Sequence, residues 1–130
     1  MPVAEIRILL PQKDESILGM FLIDSGATSS LLPAVDAHAL GISIETGRKV
    51  LVSGVTGRQI TGYRHEVAMD ISGYIFERVP VLFTKNRDAP RVPGRESIFP
   101  RFGIFFDESK KRIAFLEAES ERSRIDEFFN

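Results

Sequence analysis

The sequence predicts a mostly-β, barrel-like domain with one or two short helices. Three observations carry that reading. Short apolar or alternating runs recur along the chain and are cut by turn residues. Helical signals are confined to two short stretches. No repeat, low-complexity segment or linker interrupts the pattern.

The elements follow in order. Residues 3–10 alternate loosely and read as a strand, and residues 11–16 are polar and carry a turn. Residues 17–23 form a nearly continuous apolar run, which suits a strand buried on both faces. It ends at Asp24-Ser25-Gly26, where turn-forming residues take over. Residues 33–41 predict a short helix, because Pro33 suits the first turn and Gly41 the position past the end. Strands are expected over 49–53 and 59–71, joined through Gly54-Val55-Thr56-Gly57, whose two glycines suit a hairpin tip. Ser72-Gly73 turns the chain into a strand over 74–83. A polar loop follows to Pro93, then one short helix over 94–101, stopped by Pro100. Residues 103–106 and 112–116 make a final strand pair. The charged tail, 117–130, ends with Ile125, Phe128 and Phe129 at helical spacing, suited to packing on its own domain or in a dimer.

Composition narrows the function classes. The chain has 130 residues, which suits one domain with a real core. Seventeen basic residues nearly balance eighteen acidic ones, so neither nucleic acid nor an anionic membrane is an expected partner. There is no cysteine, which excludes disulfides and thiolate metal sites and fits a reducing compartment. The first ten residues lack the pattern of a signal peptide, and no stretch reaches the roughly 20 apolar residues of a membrane span. A soluble, cytoplasmic protein is expected. His38 and His65 have no partner at metal-ligand spacing, and no cofactor is expected. Ser25 and Ser29 have no positioned base that would make either a nucleophile. The ten phenylalanines read as core.

Asp24 is the candidate for chemistry. Asp-Ser-Gly on its own is an ordinary turn. Here it follows Phe21-Leu22-Ile23 directly, so the acid stands where a buried strand surfaces. Gly26 permits close backbone approach, Ala27 is small, and Thr28, Ser29 and Ser30 offer hydroxyls that can fix a loop. Leu31-Leu32 returns the chain to the core.

The run from Phe21 to Ser29 resembles the active-site segment of retropepsin-like aspartic peptidases: apolar residues, then Asp-Thr/Ser-Gly-Ala, then a hydroxyl residue. Further features fall in the family's order. Ser53-Gly54-Val55-Thr56-Gly57 stands where the family places its flap, and Gly94-Arg95 where it places a late Gly-Arg pair. Residues 102–107 and 112–115 resemble its last strands. The resemblance implies a peptidase domain over residues 1–116, a half-barrel closed by homodimerisation, with residues 117–130 as an added tail. It also implies that Asp24 is catalytic and that Ser25, Gly26, Ala27 and Thr28 support its loop. The hydroxyl of Ser25 would bond across the dimer axis, and the flap would close over an extended polypeptide substrate. Val55, Ile60 and Val81 are candidates for side-chain pockets.

The mechanism needs two carboxylates, and no second Asp-Ser/Thr-Gly exists. A second copy would therefore complete the site. Two departures stand out. Thr28 and Ser29 occupy places where many retroviral enzymes carry acids, so Arg95 lacks its expected partner. Val92 and Pro93 precede the late glycine, and Pro93 removes a backbone donor. The second function class consistent with the sequence is a catalytically silent module of the same fold that dimerises or binds peptides.

Overall fold

A computed structural model of the chain describes residues 3–10, 15–23, 29–53, 59–86, 89–95, 98–107 and 109–129. Strands β1 (Val3–Leu10) and β2 (Glu15–Leu22) pair antiparallel over their full length. Alternation along β1 turns Ile6 and Ile8 wholly inward. The expected two-sided burial of residues 17–23 does not occur. Only one face of β2 is covered, as in neighbouring β1, so Phe21 is buried while Leu18 and Met20 remain about half exposed.

Strand β3 (Leu31–Pro33) leads directly into helix α1 (Ala34–Ala39). The expected cap is present. Gly41 has φ 71°, and the amides of Gly41 and Ile42 donate to the carbonyls of His38 and Ala37 at 3.1 and 2.8 Å. This reversed end is a Schellman arrangement, which favours glycine because a side chain is strained in the left-handed region.

Strands β4 (Arg48–Ser53), β5 (Gln59–Ile71) and β6 (Tyr74–Thr84) follow. The long β5 organises the sheet: it pairs with β4 through its first half, with β1 through Ala68, Met69 and Asp70, and with β6. The resulting order is β2-β1-β5-β6-β3, with β4 on β5. Ser72 and Gly73 turn β5 into β6 with φ of 53° and 86°, the backbone signs of a type I′ hairpin. Between the pairs Val67↔Val79 and Met69↔Phe76, β6 carries one extra residue. Arg78 meets that bulge with φ 56°.

The core gathers Ile6, Ile8, Phe21, Leu32, Leu40, Val67, Met69, Ile71, Val79, Val81, Phe83, Ile98 and Phe102. Full burial of such side chains contributes roughly 1.5–3 kcal/mol each. A separate two-stranded sheet, β7 (Phe102–Asp107) with β8 (Arg112–Glu117), is fastened to the first by an aromatic cluster. Phe102 meets Phe76 and Phe115 edge-on at 5.3 and 5.5 Å.

Two sequence expectations near the C-terminus change. The helix expected over 94–101 is, among the described residues, a 3₁₀ turn over Phe99–Arg101, and Pro100 sits inside it rather than ending it. Proline fits there because early helical positions need no amide donor. The tail does form a helix, α2 (Arg122–Asp126), but only Ile125 of the three spaced apolar residues is buried. Phe128 and Phe129 are 68% and 80% exposed, with Phe128 against Phe105 at 4.7 Å between ring centroids. Phe106 is half exposed as well, so the phenylalanines are not uniformly core. Among the described residues, no helix is long and apolar enough to cross a membrane.

Candidate active site

Asp24, Ser25, Gly26, Ala27 and Thr28 lie outside the described residues, and so do Gly54, Val55, Thr56 and Gly57. What the structure gives is the frame on either side of them. Strand β2 brings Phe21 and then Ile23 into the interior, with Ile23 4% exposed, one residue before Asp24. The chain is again described from Ser29. Ser30 is buried, and its carbonyl accepts the Leu82 amide at 2.8 Å. Strand β3 then runs parallel to β6 in the register Leu31↔Leu82.

A distant segment, residues 91–94, passes between these two flanks. Arg91 bridges Phe21 in parallel, and Val92 bridges Leu31 antiparallel. The Leu22 amide donates to the Arg91 carbonyl at 2.8 Å. Leu31 and Val92 exchange both backbone bonds at 2.8 and 3.0 Å. The Gly94 amide donates to the Ser30 hydroxyl at 2.8 Å. The expected polar loop after Thr84 therefore ends in paired backbone, two residues earlier than its composition implied. Pro93 is harmless here because the donors used belong to Val92 and Gly94.

One ion pair anchors this segment. Arg91 Nε donates to Asp36 Oδ2 at 2.6 Å, and a second guanidinium nitrogen donates to Oδ1 at 2.7 Å. The Asp36 side chain is 3% exposed and that of Arg91 28%. Such a fork fixes two parallel charge-assisted bonds in one plane. The Asp36 carboxylate holds the Arg91 guanidinium above its ordinary pKa, and burial pulls weakly the other way. Gly19 makes room for this side chain. A Cβ there would come within 2.6 Å of Arg91 Cδ, so β2 must be bare where the arginine crosses it.

The late Gly-Arg pair divides. Gly94 is buried and bonded to Ser30, whereas Arg95 is exposed. The structural arginine is Arg91, and its acid is Asp36. Sequence reasoning missed this pair, although a signal existed. Asp36 stands one position before Ala37 and four before Leu40 in the predicted helix, so an acid lies on its apolar side. Such an acid requires a buried partner.

The arms of the expected flap are present, with β4 and β5 paired out to Ser53↔Gln59. Ile60 is half buried near the end of that hairpin, but Val81 is 1% exposed in the core and has no surface with which to line a pocket. His65 is half buried, and its Nε2 lies 2.9 Å from the Ile44 carbonyl, tying the base of the hairpin to the 3₁₀ turn Ile44–Thr46. Among the described residues, no cluster of His, Asp or Glu is placed to hold a metal.

The described frame, two strands clamped together on either side of the Asp-Ser-Gly sequence, belongs to a known class. The sequence profile of the aspartyl protease family matches residues 7–98, and the chain belongs to that family. Its fold is retropepsin-like. The EIAV protease, solved with the inhibitor HBY-793, superposes with a TM-score of 0.57 at 20% identity. That match covers 76% of this chain and 86% of the other. A retropepsin-like aspartic protease from Rickettsia conorii superposes with a TM-score of 0.63 at 19% identity, covering 88% of this chain and 89% of the other. No curated protein sequence matches the chain.

Proposed function

We propose that the protein is an aspartic endopeptidase that works as a homodimer, with one Asp24 from each chain forming the catalytic dyad. The observation that carries this reading is the seat of Asp24-Ser25-Gly26. It falls inside the span matched by the aspartyl protease family, between two chain ends held by one clamp. The chain has a single such motif, so a second copy supplies the second carboxylate.

Two carboxylates brought together cannot both ionise easily, and they share one proton. The ionised group acts as general base on a water molecule. The protonated group donates to the scissile carbonyl oxygen. The two titrations belong to the pair. Ser25 bonds across the axis, and the hairpin of β4 and β5 covers a substrate held as an added strand.

The test is cleavage of a mixed peptide library at several pH values, with wild type beside Asp24→Asn. Asparagine matches the shape but supplies neither the charge nor the shared proton. Cleavage by wild type and its loss in the variant, at least about 1,000-fold, is expected. Equal cleavage by both would overturn the mechanism. No cleavage by a confirmed dimer would favour the silent peptide-binding module.

A further inference from the structure

We propose that the Arg91–Asp36 pair is a positioning device for the two strands that flank Asp24, setting the turnover of the dyad without touching substrate. This rests on the aspartic-peptidase reading above.

The described residues on either side of positions 24–28 are tied to one segment. Leu22 bonds to the Arg91 carbonyl, while Leu31 and Ser30 bond to Val92 and Gly94. The position of one flank relative to the other is therefore set through residues 91–94. Those residues are not in a long strand that would fix them. Only Arg91 and Val92 pair, through isolated bridges. The further restraint is the side chain of Arg91, which reaches Asp36 in α1, the helix that continues directly from β3. A closed circuit results: β2 to the Arg91 backbone, its guanidinium to Asp36, and α1 through β3 back to Val92. Asp36 is too buried for water to substitute for the arginine.

An apolar pair of similar volume would serve stability as well or better, since buried ion pairs are poor stabilisers compared with packed hydrocarbon. What the fork adds is direction: two coplanar bonds that fix the arginine to one orientation. Catalysis needs that kind of precision, because a displacement of about 1 Å at the reacting group lowers rate about 100-fold. The bare Gly19 beneath Arg91 Cδ keeps the fork free of crowding on its other side.

The experiment uses the full chain in two variants. The double variant Asp36→Leu with Arg91→Met replaces the pair by hydrocarbon. Arg91→Lys keeps the charge and loses the fork. For each, kcat, KM, the pH–rate profile and amide hydrogen exchange at Leu22, Leu31 and Gly94 are measured beside wild type. Both variants are expected to keep KM within about twofold and to lose about 100-fold in kcat. The limbs of the pH profile should move, and the three amides should exchange faster while amides in β5 do not. A folded variant with wild-type kcat, pH profile and exchange would overturn the proposal. A drop in kcat with unchanged exchange and pH limbs would overturn it too. The Asp24→Asn control separates the two readings. If it cleaves like wild type, or wild type does not cleave, the peptidase reading fails. Amide exchange then separates the two failures: faster exchange at the three sites shows that the pair restrains the flanking strands though no turnover depends on it, and unchanged exchange shows that it does neither.

Discussion

Two arginine–aspartate pairs in this molecule share nearly the same contact and differ in almost everything else. In one, Arg91 Nε meets Asp36 Oδ2 at 2.6 Å, joining the segment that clamps β2 and β3 to helix α1. In the other, Arg112 Nε meets Asp107 Oδ2 at 2.8 Å at the turn end of the β7–β8 hairpin. Asp36 is 3% exposed, whereas Arg112 is 65% exposed. The first links segments 55 residues apart and the second closes a turn of five. Contact geometry alone does not set the worth of an ion pair. Desolvation and the length of chain it organises do.

The largest expected effect lies at the buried pair. Arg91→Ala leaves the Asp36 carboxylate without its charged partner and should destabilise the domain by about 3–5 kcal/mol in chemical denaturation. A loss below about 1 kcal/mol would show that water reaches Asp36, and would remove the contrast with the hairpin pair.

A second contrast lies in where apolar surface is spent. The large sheet buries Ile6, Ile8, Phe21 and Phe83 completely, while the hairpin and tail leave Phe106, Phe128 and Phe129 open. On the homodimer reading, the exposed Phe128 and Phe129 are offered as contacts with the second copy, since exposed apolar side chains favour association. Phe128→Ser with Phe129→Ser should raise the dimer dissociation constant about tenfold by sedimentation, roughly 1.4 kcal/mol. The monomer fold should be untouched. An unchanged dissociation constant would place the dimer contact elsewhere.

Much of the fold could be read from the sequence because it rests on local patterns. Alternation in residues 3–10, the Ser72-Gly73 turn and the Pro33 and Gly41 brackets each act over a few residues, and each specified its element. The expectation for residues 17–23 fails because an apolar run does not reveal whether one or both faces of its strand are covered. Leu18 and Met20 lie on the uncovered face. The site divides in the same way. Asp24 and its neighbours are recognisable as a contiguous motif, yet they lie outside the described residues. The clamp that frames them was invisible because Phe21, Leu31 and Arg91 meet only through long-range pairing. Arg95 was chosen over Arg91 because the family pattern places an arginine after the late glycine. Burial instead selected the arginine that could reach Asp36.

The smallest effect belongs to the exposed pair, and it is visible through pH. Hydrogen bonds from Arg112 first and Ser109 second hold the Asp107 carboxyl below its ordinary pKa. A carboxylate with a depressed folded pKa contributes stability above the ordinary carboxylate value and loses it as pH falls through the depressed one. The hairpin end should therefore loosen only in acid, below the usual aspartate range. Because the carboxylate is partly exposed and its arginine 65% exposed, water and salt screen most of this contribution. Arg112→Gln should move the Asp107 titration, followed by NMR, upward toward its ordinary value and leave the melting midpoint at neutral pH unchanged within error. A clear fall in that midpoint would mean that the hairpin pair organises more of the chain than its short turn. An unmoved titration would mean that Ser109 and the turn amides already hold the carboxylate without the arginine. Either result would redraw the line between a pair that positions a site and one that only closes a turn.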